Sequence, residues 1–330
     1  MTAANSKTRG PDLEGVPLAQ RADLLLDRAL EHGALPASTQ SLLALTRRDD
    51  AEIGPVVDAL ALNPGLAAAV LRVANSATYG QARAIGDLKR AVTVIGMQEI
   101  HDIVAGTAMM AAFSSPDPLS ERIQGTAVLS ATVAQKLAAK LKAGSPNAAY
   151  LSGLMCELGA LACLALDPGF SDLYGTGDSS ARQRFDGEAS RYGGTTPDIG
   201  GRILAASSLP TDVTQAVATT GLEPGEHTYT LGRVVAFSRL AALVLLRASE
   251  HGNAETLRNE LIDAAATVGL ENVDPEVLTQ TCLVAAAAAE LTLRGELGLS
   301  QTAPMNDVEA PAPTASSTAV KKGWWARLRG

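Results

Sequence analysis

Aromatic side chains are few in this 330-residue chain: two Trp, five Tyr and four Phe. That excludes an interior built on rings, so Ala, Leu, Val and Ile must fill it, and small side chains suit closely packed helices. Only three cysteines are present, which excludes a disulfide framework. Cys156 and Cys163 are seven residues apart, a spacing that puts both on one face of a helix as buried apolar thiols. Histidine occurs four times, at His32, His101, His227 and His251, and nowhere from 102 to 226. No Walker loop, Gly-x-Ser-x-Gly elbow or recognisable Cys–His pairing occurs. No uninterrupted apolar run reaches the ~18 residues of a membrane span; the richest stretch, Leu231–Leu246, is broken by Arg233 and Arg239. Residues 1–20 contain no apolar signal-peptide core, so a cytoplasmic location is expected. A net charge of −8 argues against general nucleic-acid binding, which needs a basic footprint.

What is present reads as helix from end to end. Asn63-Pro64, Ser145-Pro146, Thr196-Pro197 and Asp274-Pro275 each place a capping side chain before a proline, whose missing N–H costs nothing at a helix start. Each pair precedes apolar residues at helical spacing, as in Leu66, Val70, Val73 and Ala74. The expected fold is all-α. Helices are expected at 18–31, 37–48, 51–62, 64–77, 87–95 and 97–113, then at 119–142 and 147–166. A loop is expected at 167–180, followed by helices at 181–191, 197–207, 211–220, 229–249, 254–267 and 275–297. Residues 1–16 read as a flexible start, and 17–299 as one helical domain with subdomains of about 17–113 and 119–299. The Ala-, Pro-, Ser- and Thr-rich stretch 300–320 reads as a linker. The last segment, 321–330, is basic and contains both tryptophans.

Several motifs share one pattern. They are Leu35-Pro36; Asn63-Pro64-Gly65-Leu66; Leu71-Arg72-Val73-Ala74-Asn75-Ser76-Ala77-Thr78-Tyr79-Gly80; and Ile85 through Gly96. Together they resemble the opening of an HDOD domain, a bacterial relative of the HD-type metal phosphohydrolases. The resemblance runs to about residue 250 and implies a two-part helical fold.

An HD-type site needs imidazoles and carboxylates from several helices around one or two metals that activate water. Against that requirement, the resemblance puts Leu154-Met155-Cys156-Glu157-Leu158-Gly159 where such enzymes carry Leu-Leu-His-Asp-Ile-Gly, so Cys156 and Glu157 replace the His-Asp pair. The other former ligand positions fall at Gly125, Thr196 and the pair Thr219-Thr220. No catalytic, cofactor or metal residue is expected. His101-Asp102 is an isolated pair within the helix after Gly96 and reads as a solvated face. His32 suits the last turn of a helix, and His227 and His251 read as loop residues. Arg191–Thr196 is glycine-rich and precedes a helix; it could hold an anion on free N–H groups, or be a loop that Thr196 caps.

Two segments remain that could make contacts. Asn75, Ser76, Tyr79 and Gly80 read either as a helix-ending motif that fixes the next loop or as the rim of a cleft for a partner. Trp324, Trp325 and Arg327, with Lys321, Lys322 and Arg329, suit weak docking on an anionic membrane surface or on an acidic partner. The resemblance implies a catalytically inactive bacterial signalling protein acting by protein–protein contact. Its expected partners are receiver, kinase or cyclic-dinucleotide enzyme proteins met in trans. Two alternatives are a phosphohydrolase with an unusual metal site and a nucleotide or cyclic-dinucleotide sensor that uses the degenerate cleft.

Overall fold

The computed structural model describes residues 13–299 apart from 14, 34, 49, 76–78, 80–83, 168, 175–180, 208, 222–229 and 252. The described residues form α-helices and 3₁₀ turns with no strand. The first set is α1 (Leu18–His32), α2 (Ala37–Thr46), α3 (Ile53–Ala61), α4 (Pro64–Ala74), α5 (Leu88–Ile95) and α6 (Met97–Phe113). Next come α7 (Pro118–Leu141), α8 (Pro146–Met155), α9 (Leu158–Leu166), α10 (Phe170–Tyr174), α11 (Ala181–Tyr192) and α12 (Thr196–Ala206). The chain then passes through α13 (Thr211–Ala218), a 3₁₀ turn at Thr219–Gly221, α14 (Thr230–His251), α15 (Ala254–Thr267) and α16 (Pro275–Leu299).

The proline-linked caps act as the sequence implies. Asn63 accepts from the Leu66 N–H, Ser145 from Ala148 and Asp274 from Glu276, and Asp117 caps α7 in the same way through Leu119 and Ser120. The fourth pair is displaced by one residue. Thr195, not Thr196, accepts from the Asp198 N–H, which moves Thr196 into the first turn of α12.

Three apolar clusters carry the packing. Leu42, Val56, Leu60, Val70, Val92, Ile100 and Val104 close the core of α2–α6. Met109, Phe113, Ile123, Met155, Leu158, Tyr192 and Leu204 form a second core, which Leu25 and Ala29 of α1 join. Leu137, Val234, Phe237, Leu261 and Leu278 centre the third, around α7 and α14–α16. Helix α6 serves two of these at once: Ile100, Ile103, Val104 and Ala108 face the first cluster, and Ala105, Met109, Met110 and Phe113 the second. Helix α1 precedes the α2–α6 set in sequence but packs on α9, α11 and α12, where Asp23 pairs with Arg202.

The expected helix 147–166 is two helices. It breaks at Cys156-Glu157, where Glu157 takes φ −105° and ψ 8°. Cys156 and Cys163 are both buried, as expected, but they lie in different segments rather than on one helix face. The stretch Pro146–Leu166 is apolar enough on average to cross a membrane by length and composition, although Asn147, Ser152 and Glu157 interrupt it; 78% of its apolar window is buried inside the fold. In the expected loop 167–180 the chain forms α10, held by burial of Phe170 and Tyr174.

Two glycines allow the closest approaches around this break. A Cβ on Gly153 would stand 2.6 Å from Ala131 Cα, and one on Gly159 would stand 1.9 Å from the Thr196 carbonyl oxygen. At both positions the opposing atom is backbone and cannot rotate away. Gly125, by contrast, has nothing within 4 Å of an added Cβ. Gly159→Ala is therefore expected to cost ~3 kcal/mol or more by forcing α9 from α12, while Gly125→Ala gains up to ~1 kcal/mol from helix propensity. Urea denaturation of the two variants measures the contrast.

Candidate functional site

The break between α8 and α9 turns Glu157 into the interior, where it is fully buried. There it meets Arg239 of α14, which is 1% exposed. Arg239 Nε donates to Glu157 Oε1 at 2.7 Å and its Nη2 to Oε2 at 3.2 Å, a two-pronged contact that occupies both carboxylate oxygens. The Tyr174 hydroxyl donates to Oε2 at 3.4 Å, and the Phe185 ring lies 5.2 Å from the guanidinium carbon. Burial by itself would push the guanidinium down, but Glu157, Tyr174 and Cys156 outweigh it and hold Arg239 above its ordinary value. Burial, and then Glu157, raise the Tyr174 phenol. Cys156 is pushed up to about 12, by burial first and Glu157 second, so its thiol keeps its proton; Ser130 of α7 supplies a hydrogen bond.

A second pair lies alongside. Arg184 Nε is 3.3 Å from Glu188 Oε1, one turn along α11, with both side chains buried. The Arg184 guanidinium sits 4.7 Å from the Tyr174 ring centre and 5.0 Å from that of Phe185, which joins the two ion pairs through aromatic faces. Glu188 Oε2 accepts the backbone N–H of Thr196 at 2.7 Å. Burial raises the Glu188 carboxyl, with Arg184 opposing. The start of α12, one of the two readings for an anion site at Arg191–Thr196, is thus filled by a carboxylate of the chain itself. Arg191 is engaged elsewhere: it clasps Asp167 at 2.6 and 2.9 Å, and Tyr192 donates to the same carboxylate at 2.8 Å.

The structure brings three of the six former ligand positions, Cys156, Glu157 and Thr196, into this network. Gly125 is a half-buried position on α7 with open space beside its Cα. Thr219 and Thr220 direct their hydroxyls to carbonyls of α13, at Gln215 and Val217, on the turn whose Gly221 packs against Thr195 and Pro197. No group of three or more His, Cys, Asp or Glu among the described residues is placed to hold a metal. The HD-type metal does not fit the residues that are here. Glu157 has no free oxygen to offer it, Cys156 is a protonated thiol, and the nearest cationic group already lies against the carboxylate.

Arg184, Glu188, Tyr174 and Arg239 escaped the sequence reading. Arg239 carried one available signal, a charge within the most apolar part of a helix, and was read there only as an interruption.

Other candidates separate by role. Asn75 Nδ2 donates to the carbonyls of Leu71 and Ile85, both at 2.8 Å, and its Oδ1 accepts from the Ile85 N–H at 2.6 Å. It therefore ends α4 and clamps the far end of the following loop, one of its two expected roles. The Tyr79 hydroxyl accepts from Asn147 Nδ2 at 2.8 Å, which ties that loop to α8. Ser76, Gly80, His227, Trp324, Trp325 and Arg327 lie outside the described residues. His101 is not on a solvated face: it is 5% exposed, and its Nδ1 lies 2.9 Å from Thr46 Oγ1. The Thr46 hydroxyl donates to the Leu43 carbonyl, so its oxygen is left to accept from the ring. His32 ends α1 as expected and stacks on Phe113 at 5.6 Å; His251 is the last residue of α14 rather than a loop residue.

With this geometry in view, the comparisons with known proteins agree on the fold. The HDOD domain model matches residues 33–221, more than half of the chain, and the chain belongs to that family. An HDOD domain protein of unknown function from Geobacter sulfurreducens is similar at 17% identity and a TM-score of 0.54, over 84% of this chain and 98% of that one. A Shewanella amazonensis protein provisionally described as a phosphohydrolase is similar at 20% identity and a TM-score of 0.61, over 83% and 97%. A Marinobacter aquaeolei VT8 protein provisionally assigned to signal transduction is similar at 19% identity and a TM-score of 0.54, over 87% and 67%. No curated protein matches.

Removing either member of the buried pair leaves an unpaired charge in the core. Glu157→Leu and Arg239→Met are each expected to cost ~3–5 kcal/mol, and the double variant should recover most of that loss. A double-mutant cycle by urea unfolding measures the coupling. Asn75→Ala strands two carbonyls and one N–H, with an expected cost of ~1–3 kcal/mol in the same assay. Unchanged stability would point instead to the partner-contact reading of Asn75.

Proposed function

We propose that this HDOD protein is a non-catalytic signalling protein that acts by protein–protein contact. The observation that carries the reading is the buried pair of Glu157 and Arg239. A metal hydrolase needs its carboxylates to offer lone pairs to a cation that in turn binds water. Here a guanidinium takes both oxygens of the one carboxylate that replaces the family's aspartate. Guanidinium presents only donors, does not lose its proton at working pH and cannot bind and ionise a water molecule. The positive charge that the fold accommodates is thus retained, while the chemistry that a metal would supply is not.

Two further points support the reading. The fold is shared with the Marinobacter protein provisionally assigned to signal transduction. In addition, the family resemblance implies a domain commonly joined to receiver, kinase or cyclic-dinucleotide enzyme domains, which makes such proteins the expected partners in trans. An acidic chain of net charge −8 is a poor match for nucleic acid and a better one for basic protein surfaces.

Metal analysis and turnover assays decide between this reading and a hydrolase. Full-length protein incubated with Mn²⁺, Fe²⁺ or Zn²⁺ and desalted should retain no stoichiometric metal, and should leave nucleotides and cyclic dinucleotides unhydrolysed. Stoichiometric metal with turnover would overturn the proposal. Cys156→His combined with Glu157→Asp should also remain inactive, because Arg239 stays in place and the other imidazoles are missing.

A further inference from the structure

One opening of the fold lies away from the Glu157 network. A half-open cleft of about 190 Å³ runs between α1 and α12 on one side and α2 and α6 on the other. Its walls are apolar, with Leu43, Met109, Phe113 and Ile203 among them. Two nitrogen-bearing side chains interrupt that lining. His101 is buried in it and anchored to Thr46, and Arg47, at the end of α2, is exposed at its edge. Arg47 forms no ion pair among the described residues; burial first, and the Arg47 charge second, lower His101.

We propose that this cleft is a binding site for a small monocarboxylate with an apolar body, whose carboxylate pairs with Arg47 while the body fills the space bounded by Met109, Phe113 and Ile203. Size sets the body: an apolar cavity of ~150 Å³ accepts benzene, so a slightly larger one takes a ring, or a short alkyl chain, with one substituent. Charge sets the head. The guanidinium fork matches one carboxylate through two parallel hydrogen bonds. A phosphate would bring a second negative charge with no partner in an otherwise apolar lining. Arg47 and His101 stand on the α2 and α6 side, and across from them the Ser207 hydroxyl at the end of α12 donates to the Ile203 carbonyl, so a few polar groups orient a largely apolar ligand, as in small-molecule sites. Because the walls come from two helix sets, a bound ligand would bridge them and resist their separation. This inference is independent of whether the protein is catalytic.

Benzoate and hexanoate are the probes, with benzyl alcohol as the uncharged control, titrated calorimetrically into the full chain. Both acids should bind saturably with one-to-one stoichiometry. Benzyl alcohol should bind at least about tenfold more weakly than benzoate, and Arg47→Gln should bring benzoate down to the level of the alcohol. Ala105→Leu fills the cleft from α6 and should abolish binding of all three. Ser207→Leu narrows it from the partly exposed rim, and keeps the test available if Ala105→Leu does not fold. Absence of saturable binding of either acid at tens of millimolar would overturn the proposal. So would benzoate binding that survives both Arg47→Gln and the cleft-filling variants.

Discussion

A buried carboxylate and guanidinium locked together organise the later half of this fold. Glu157 and Arg239 are 82 residues apart in sequence and almost completely buried. Taking both ions from water costs several kcal/mol each, and only near-ideal pairing in a dry site offsets it. That requirement has structural consequences. The chain must break between α8 and α9 to turn Glu157 inward, and α14 must pass close enough for a two-pronged contact. Tyr174 on α10 and Phe185 on α11 must cover the pair. Gly159 then lets α9 approach α12 to a distance that no side chain would permit.

On the proposed reading, the same network keeps the electrostatics of a metal site without its chemistry. A metal and a guanidinium both neutralise a buried carboxylate. Only the metal also offers an open coordination position for water. Cys156 adds packing volume and a protonated sulfur rather than a thiolate for a metal. Glu188 and Arg184 extend the arrangement to the start of α12, so each buried carboxylate of the cluster meets a cation and little net charge is left in the core.

Away from this cluster the molecule depends on α6, which is buried on two sides and shared by two apolar clusters. Its His101 illustrates how far a local pattern can mislead. A His-Asp dipeptide within a helix looks solvated in isolation, and the polarity of Asp102 and Gln98 supports that impression. Only the arrival of α2 across the helix, with the Thr46 hydroxyl at the right height, provides the hydrogen bond that makes burial of His101 tolerable. Asn75 is the opposite case. Asparagine at the end of an apolar helix announced a loop-fixing role, and its bonds to Leu71 and Ile85 lie within ten residues along the chain.

The all-helical architecture and most helix limits were legible because their causes are local. Proline after a capping residue at Asn63, Ser145 and Asp274, together with apolar spacing, specifies where helices start and which face is buried, whatever lies across from them. The lack of histidine from 102 to 226 was equally legible, since absence of a residue type needs no geometry. The break at Cys156-Glu157, the short helix α10, the shift of the cap from Thr196 to Thr195 and the partners of Arg239 were not. Each depends on free energy supplied by residues distant in sequence: burial of Phe170 and Tyr174, the close approach of α9 to α12, and a countercharge on α14. Local propensities are worth tenths of a kcal/mol per residue, whereas a buried unpaired ion costs several. The sequence by itself therefore determined that this chain is a helical HDOD domain with no histidine from 102 to 226. Only the tertiary structure, by the requirement to neutralise a buried carboxylate, decided that an arginine stands against Glu157.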